Sequence, residues 1–389
     1  LRWQTTLLGN IAFRKSRNKA TGLLYHKSWR GKEEGSPGIE ENRFPGTVKL
    51  VAGDIFSAMQ QVEEILEWYR AHARELPWRE TPPNPYHVWL SEIMFQQTRI
   101  EAVRLAYARI LEICPTVESL AALPEEALMK LWQGLGYYSR ARNLHAAAKV
   151  IAAQGHFPET GAQWRALPGV GEYTAGAIAS IVLGERRPAV DGNVLRVLSR
   201  LCGENLDRPA ATELLQSWMP STETGLFTQA WMELGEVVCI PHGEPRCEEC
   251  PFRDECVARR EGRIGELPAP TVKKARPVQE LTVFRIQTAE GKIALRQRPA
   301  TGLLAKLWEF PHVDGTLTAQ ELRRLLSGWG FQVKALRKVS SSVHLFTHRE
   351  WRMENYAVTV TACAGDFTWA TSQELATRYA IPSAFAALL

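Results

Sequence analysis

The sequence predicts a multidomain protein in which an all-α domain precedes an α+β domain, and three observations predict it. From about residue 51 to residue 262, apolar residues fall at helical spacing between prolines and glycines, with no period-two alternation. Residues 263–277 then read as a proline-rich basic linker, Ile264 to Pro270 followed by Lys273-Lys274-Ala275-Arg276-Pro277. Over residues 278–389 the period changes to two. Leu281–Ile286, Lys292–Arg296 and Trp351–Val358 all alternate or nearly so.

The 389 residues suffice for two or three domains, and an apolar content of 45% allows each a core. The balance of 47 Lys+Arg against 42 Asp+Glu gives a net charge of +5, which suits nucleic-acid binding without requiring it. No apolar run approaches the roughly 18 residues of a membrane span, so no membrane partner is expected. Four of the seven cysteines are clustered, which suggests a reducing, cytoplasmic setting and a metal site rather than disulfides.

Residues 1–50 differ from the rest. Up to Lys32 they carry eight basic residues, no acid and no sustained period. A disordered basic extension or translated upstream sequence is expected, with an Arg-rich targeting segment as the alternative. The first methionine is Met59. From there to Arg74, Val62, Ile65, Leu66 and Tyr69 form one helical stripe, ended by Pro77.

The stretch Tyr86–Thr98 then reads as a helix whose apolar body carries one carboxylate, Glu92. A lone glutamate there is either a surface group at the helix edge or an acid whose apolar setting raises its pKa. Further helices lie between Pro115, Pro124, Gly134/Gly136 and Pro158.

Pro168-Gly169-Val170-Gly171 forms a tight turn, and the small apolar residues Thr174–Leu183 read as a buried helix starting there. The amides of Val170 and Gly171 are expected to face outward, where a phosphate can bind them. Asp191 falls at the start of the next helix. Downstream, Cys239-x7-Cys247-x2-Cys250-x5-Cys256 puts four thiols within a short stretch that could hold zinc or a [4Fe-4S] cluster. Cys114, Cys202 and Cys363 are isolated and read as buried core residues.

Taken together, Leu167–Gly171 with Thr174-Ala175, followed by Val190-Asp191-x-Asn193-Val194-x-Arg196-Val197, resembles the helix-hairpin-helix DNA glycosylases, the superfamily of endonuclease III and the MutY adenine DNA glycosylases. Ser91–Thr98 looks like the MutY signature around its catalytic glutamate, with Phe95 in place of leucine and Arg99 in place of glutamine. The resemblance spans roughly residues 59–389. It implies a monofunctional glycosylase that removes adenine mispaired with 8-oxoguanine or guanine in double-stranded DNA, acting as a monomer. The helical domain would divide into a six-helix lobe and an iron–sulfur lobe.

The resemblance also implies residue roles. Glu92 would protonate adenine at N7 and later help to activate water. Asp191 would stay ionised beside an oxocarbenium-like sugar, with Tyr173 and Asn193 orienting the two acids. Tyr173 stands where endonuclease III has a lysine, and a tyrosine cannot form a Schiff base. Leu131–Asn143 matches a wedge motif in which Tyr137 enters the duplex and Gln97 supports the gap left by the flipped base. Read from the residues alone, that run is equally an ordinary loop and helix start. Arg74, Arg79 and Gln229 would face the flipped adenine, although a surface or core role is as open from sequence. Val170 and Gly171 would hold the DNA backbone, with a monovalent cation or Ca2+ at the hairpin.

The cysteine spacing resembles the family's iron–sulfur loop with seven residues instead of six in the first gap. Zinc and free thiols stay as alternatives. In the second domain, Arg298–Pro311 resembles the Nudix-like domain of MutY, without the Glu-rich metal helix of a working Nudix enzyme, so no pyrophosphatase activity is expected. Val343–His348 resembles that domain's lesion-reading loop, with Phe346, Thr347 in place of serine, and His348. A plain β-turn is the alternative. Two other functions remain in competition: a pyrimidine-lesion glycosylase/lyase and an inactive DNA-binding scaffold.

Overall fold

The computed structural model describes residues 54–270 and 275–389, so the expectation for residues 1–50 lies outside it. The helical region runs α1 (Asp54–His72), α2 (Pro85–Phe95), α3 (Ile100–Ile113), α4 (Val117–Ala122), α5 (Glu125–Leu131), α6 (Ser139–Gln154), α7 (Gly161–Arg165), α8 (Glu172–Leu183), α9 (Gly192–Cys202), α10 (Arg208–Trp218), α11 (Thr224–Val237) and α12 (Val257–Arg260). Among the described residues, no helix is long and apolar enough to cross a membrane.

These helices bury their apolar faces in two cores. One gathers α2 to α8 around Trp89, Trp132 and Trp164. The other joins α1 to α9, α10 and α11 around Trp231 and Phe252. The chain therefore leaves the second core after α1, builds the first, and returns. This route brings α2 and α9, a hundred residues apart in sequence, to a common seam.

Local signals set the element ends. Asn84 caps α2, its side chain accepting from the Tyr86 amide at 2.9 Å, with Pro85 in the first turn. The helix expected over Tyr86–Thr98 stops at Phe95, because Gln96 turns to a ψ of 103° and Gln97 then takes a left-handed φ of 60°, neither of which an α-helix can continue. Likewise the first helix ends at His72, before Arg74 and Pro77.

The second region is one seven-stranded sheet in the order β3-β2-β1-β6-β5, with β4 on β1 and β7 on β2. Its strands are β1 (Val278–Thr288), β2 (Ile293–Gln297), β3 (Trp308–Glu309), β4 (His312–Asp314), β5 (Val333–Leu345), β6 (Glu350–Val360) and β7 (Thr368–Ala370), with helices α13 (Ala319–Gly328) and α14 (Ser372–Thr377). β1 and β6 pair in parallel and the other pairs are antiparallel. The fold is thus an all-α domain followed by an α+β domain, as the change of period predicts.

The long strand β5 escapes sequence reading. Most of its residues are exposed on an edge rich in Lys, Arg and Ser, so it has no apolar alternation. Its hairpin with β6 closes through residues 346–349. The two regions are tied together as well. Lys130 Nζ donates to the Leu375 and Tyr379 carbonyls at 2.9 and 3.0 Å, and Leu307 and Ala380 pack into the first helical core. Of the three isolated cysteines, Cys114 is buried and Cys202 half-buried. Cys363 is exposed beyond the end of β6, where no element covers it, which corrects the core expectation there.

Candidate active site

The seam between the two helical cores holds a cavity of about 1300 Å³. Glu92 on α2 and Asp191 at the start of α9 both line it, as do Tyr173 and Asn193. Asp191 is the N-cap of α9, accepting from the amides of Asn193 at 2.9 Å and Val194 at 2.8 Å. Burial pushes its pKa above the usual carboxylate value, and those two amides, with the charges of Arg196 and Arg208, oppose the rise. The net direction is upward, so the helix start only moderates the cost of burial that the sequence reading left out.

Glu92 is the more perturbed acid. Its Oε2 is sealed from solvent with no hydrogen-bond partner. Burial raises its pKa to about 7, with Asp191 adding to the rise and Tyr173 and Arg79 drawing it down. The Tyr173 hydroxyl donates to the Met232 sulfur at 3.7 Å. Its own pKa is pushed well above the normal phenol value by burial and by both carboxylates, so it stays a neutral donor.

Gln97, Gly171, Arg74, Arg79 and Gln229 line the same cavity. The two arginines do not stand free in it. Arg74 Nε reaches Glu233 Oε1 at 2.6 Å, and Arg79 Nη2 reaches Glu233 Oε2 at 2.7 Å. Burial alone would raise the Glu233 pKa, but the hydrogen bonds and charges of both arginines hold it below the usual value. Gln229 accepts from Tyr69 at 3.2 Å. Sequence reading missed Glu233, although it lies on α11 between Met232 and Leu234. An acid set in an apolar run is the same signal that singled out Glu92.

Close helix crossings hold this arrangement. A Cβ on Gly235 would come within 2.8 Å of Asn193 Cβ, so α11 meets the start of α9 at a position that takes only glycine. In the glycine turn, Gly169 has φ 77°, and a Cβ there would lie 2.6 Å from Asn143 Cβ. The expected pair of outward amides is corrected here. Val170 is buried and its N–H donates to the Leu167 carbonyl at 3.2 Å, closing the turn, whereas Gly171 is exposed.

From Asp191 a hydrogen-bonded chain leads to the cysteines. Asn193 Nδ2 donates to Asp191 Oδ2 at 3.1 Å, Arg196 Nη2 to Asn193 Oδ1 at 2.9 Å, and Arg196 Nε to the Cys239 carbonyl at 2.8 Å. Arg200 Nη1 donates to Cys239 Sγ at 3.3 Å, and Cys256 Sγ donates to the Arg200 carbonyl at 3.4 Å. Cys239, Cys250 and Cys256 all pack against the second helical core. Among the described residues, no group of three or more His, Cys, Asp or Glu converges into a site that could hold a metal ion.

The remaining candidates lie at the junction with the sheet region. Tyr137 is 45% exposed, takes a left-handed φ of 44°, and is absent from the cavity lining. Its hydroxyl meets Thr347 Oγ1 at 2.6 Å. Thr347 and His348 are exposed at the tip of the β5–β6 hairpin, and Phe346 packs edge-on to Trp351 with ring centroids 4.8 Å apart.

Residues 90–221 match the family described as HhH-GPD superfamily base excision DNA repair protein, and residues 282–389 match the NUDIX domain. The chain is 31% identical over 411 residues to the adenine DNA glycosylase of Rattus norvegicus, covering 88% of this chain and 80% of that one. To the Homo sapiens adenine DNA glycosylase it is 33% identical, covering 80% of this chain and 70% of the relative. The chain belongs to the adenine DNA glycosylase family. Among solved structures, a thermostable thymine-DNA glycosylase superposes with a TM-score of 0.50 at 26% identity, covering 54% of this chain and 99% of that one. Membership in the adenine DNA glycosylase family accounts for both halves of the molecule. The helical half carries the cavity, and the Nudix-like half brings its β5–β6 hairpin to Tyr137. In α13 of this family member, Glu321 serves as a helix cap, its carboxylate accepting from the Thr318 amide at 2.8 Å.

Proposed function

We propose that the protein is a monofunctional DNA glycosylase that removes adenine mispaired with 8-oxoguanine or guanine by acid-assisted hydrolysis of the N-glycosidic bond. One observation carries this reading. A carboxyl group with a pKa near 7 and a second carboxylate line one cavity large enough for a flipped nucleotide. The protonated Glu92 gives its proton to adenine N7. The C1′–N9 bond breaks with its electron pair going to the base, and the sugar becomes oxocarbenium-like. Asp191 stabilises that cation, whose charge also offsets the cost of burying the aspartate. Water then adds to C1′ and returns a proton to Glu92.

The other residues orient and hold the substrate. Tyr173 and Asn193 position the two acids. Tyr173 offers no amine for Schiff-base attack, which supports hydrolysis without strand cleavage. Gln229 and the unengaged edges of Arg74 and Arg79 face the flipped adenine. Tyr137 fills the stack with Gln97 beside it. Gly171 meets a DNA phosphate, with Val170 as the packed base of that turn. Phe346 supports the loop on which Thr347 and His348 read 8-oxoguanine.

Cys239, Cys247, Cys250 and Cys256 would hold a [4Fe-4S] cluster if their thiols, which do not converge into a metal-binding group here, were drawn together around it. All four donors are sulfur, and Arg200 already donates to one of them. The cluster would order the loop between α11 and α12, and no step of the reaction passes through it. A cation at the hairpin would draw on the carbonyls of the glycine turn. The neighbouring carboxylate, Glu172, is engaged by Arg187 at 2.6 Å and Arg165 at 3.4 Å, which favours a monovalent ion over Ca2+.

Single-turnover base release from a defined A:8-oxoG duplex tests the reading. Free adenine with an intact abasic strand is the expected product. Strand cleavage with strong borohydride trapping would point to a glycosylase/lyase instead.

A further inference from the structure

Arg140, in the first turn of α6, plays no part in the chemistry above. The residue is 7% exposed, and among the described residues its side chain bonds only to backbone carbonyls and one hydroxyl, not to a carboxylate. Burial pulls its pKa down to about 10. A buried guanidinium is costly unless hydrogen bonds satisfy it, and here two segments between them satisfy Nη1 and Nη2, while Nε is sealed without a partner. Nη1 donates to the Ile93 and Met94 carbonyls at 3.1 and 2.7 Å, in the last turn of α2 just past Glu92. Those carbonyls belong to the negative end of the helix. Nη2 donates to the Leu135 and Gly136 carbonyls at 2.8 and 3.2 Å and to Thr98 Oγ1 at 2.8 Å. The guanidinium carbon also lies 5.6 Å from the Tyr137 ring centroid, within cation–π range.

Both segments are bent into left-handed backbone next to these contacts. Gln97 follows α2 at φ 60°, and Gly136 and Tyr137 follow one another at 68° and 44°. Non-glycine residues keep such angles only where their surroundings enforce them. Arg140 is hydrogen-bonded beside both bends at once.

We propose that Arg140 is a positioning residue that joins the wedge Tyr137 and the Glu92 helix into one rigid unit, so that wedge insertion and presentation of the acid to the flipped base occur together. This rests on the glycosylase reading above. It extends toward the lesion-reading loop, because the outer end of Tyr137 contacts Thr347.

A double-mutant cycle tests it. Arg140→Lys keeps the charge but loses the planar fork. Single-turnover adenine release is measured for that variant alone and in a Tyr137→Ala background, at a temperature where every variant is folded. Arg140→Lys is expected to slow release about tenfold in the parent and about twofold or less without the wedge. The same factor in both backgrounds, or no slowing in the parent, overturns the proposal. Lost stability alone leaves the single-turnover rate of folded protein unchanged.

If Arg140→Lys does not fold, Thr98→Val, which removes one contact to Nη2, enters the same cycle. About threefold slowing in the parent and none without the wedge is then expected, and equal factors overturn the proposal. If the parent releases no adenine, the glycosylase reading is what fails. The cycle is then read as dissociation rates from the A:8-oxoG duplex, where the same contrast supports the coupling and equal factors refute it.

Discussion

Glu92 and Glu233 are two glutamates lining one cavity with opposite electrostatics. Glu233 is 1% exposed yet held below the usual carboxylate pKa, because Arg74 and Arg79 both donate to it. Glu92 has an oxygen sealed without any partner and a pKa raised to about 7. Burial acts on both in the same direction, and direct hydrogen bonds from two guanidinium groups, which Glu92 lacks, decide the sign of the outcome. One carboxylate is a fixed anion that anchors two arginines, and the other holds a proton near neutrality and can give it away.

The comparison breaks most readily at Glu92. Glu92→Gln should lower single-turnover adenine release by about a thousandfold while A:8-oxoG duplex binding persists, as expected for loss of a general acid. Rates near the parent's would remove the acid assignment. At Glu233 the expected loss is in the fold. Glu233→Ala leaves two guanidinium groups without their anion and should cost about 3 kcal/mol of stability, visible as a lower unfolding midpoint. An unchanged midpoint would mean that the arginines find other partners.

A third prediction sharpens the contrast through pH. The Glu92 pKa is higher folded than unfolded, so its contribution to stability is complete below about pH 4.5 and is lost as pH rises through about 7. Glu92→Gln should therefore stabilise the protein by about 3 kcal/mol at pH 8 and by little at pH 4. The adenine-release rate of the parent should fall over the same rise through pH 7. A stability difference independent of pH would show that Glu92 titrates normally.

The smallest effect is expected at the hairpin tip, where Thr347 already has a partner in Tyr137. Replacing Thr347 and His348 with alanine should reduce the preference for A:8-oxoG over A:G by about tenfold, roughly one lost base contact. Comparison of the two initial rates checks this, and an unchanged preference would take lesion reading away from the loop.

Where local structure depends on neighbours in the chain, the sequence was legible. Apolar flanks marked Glu92, the glycine turn announced a helix, and Asp191 stood at the head of the next one, because capping and turn formation involve residues only a few positions apart. The change of period near residue 278 separated helices from sheet for the same reason. Tertiary structure decided what those groups face. Glu233 meets Arg74 and Arg79 across more than 150 residues of chain, Arg140 reaches back to the end of α2, and Tyr137 meets Thr347 from the other domain. The parallel pairing of β1 with β6 and the exposed edge strand β5 carry no local pattern either. A pKa, an ion pair or a strand neighbour depends on what lies within a few ångströms, and distance in space is a property of the packed chain.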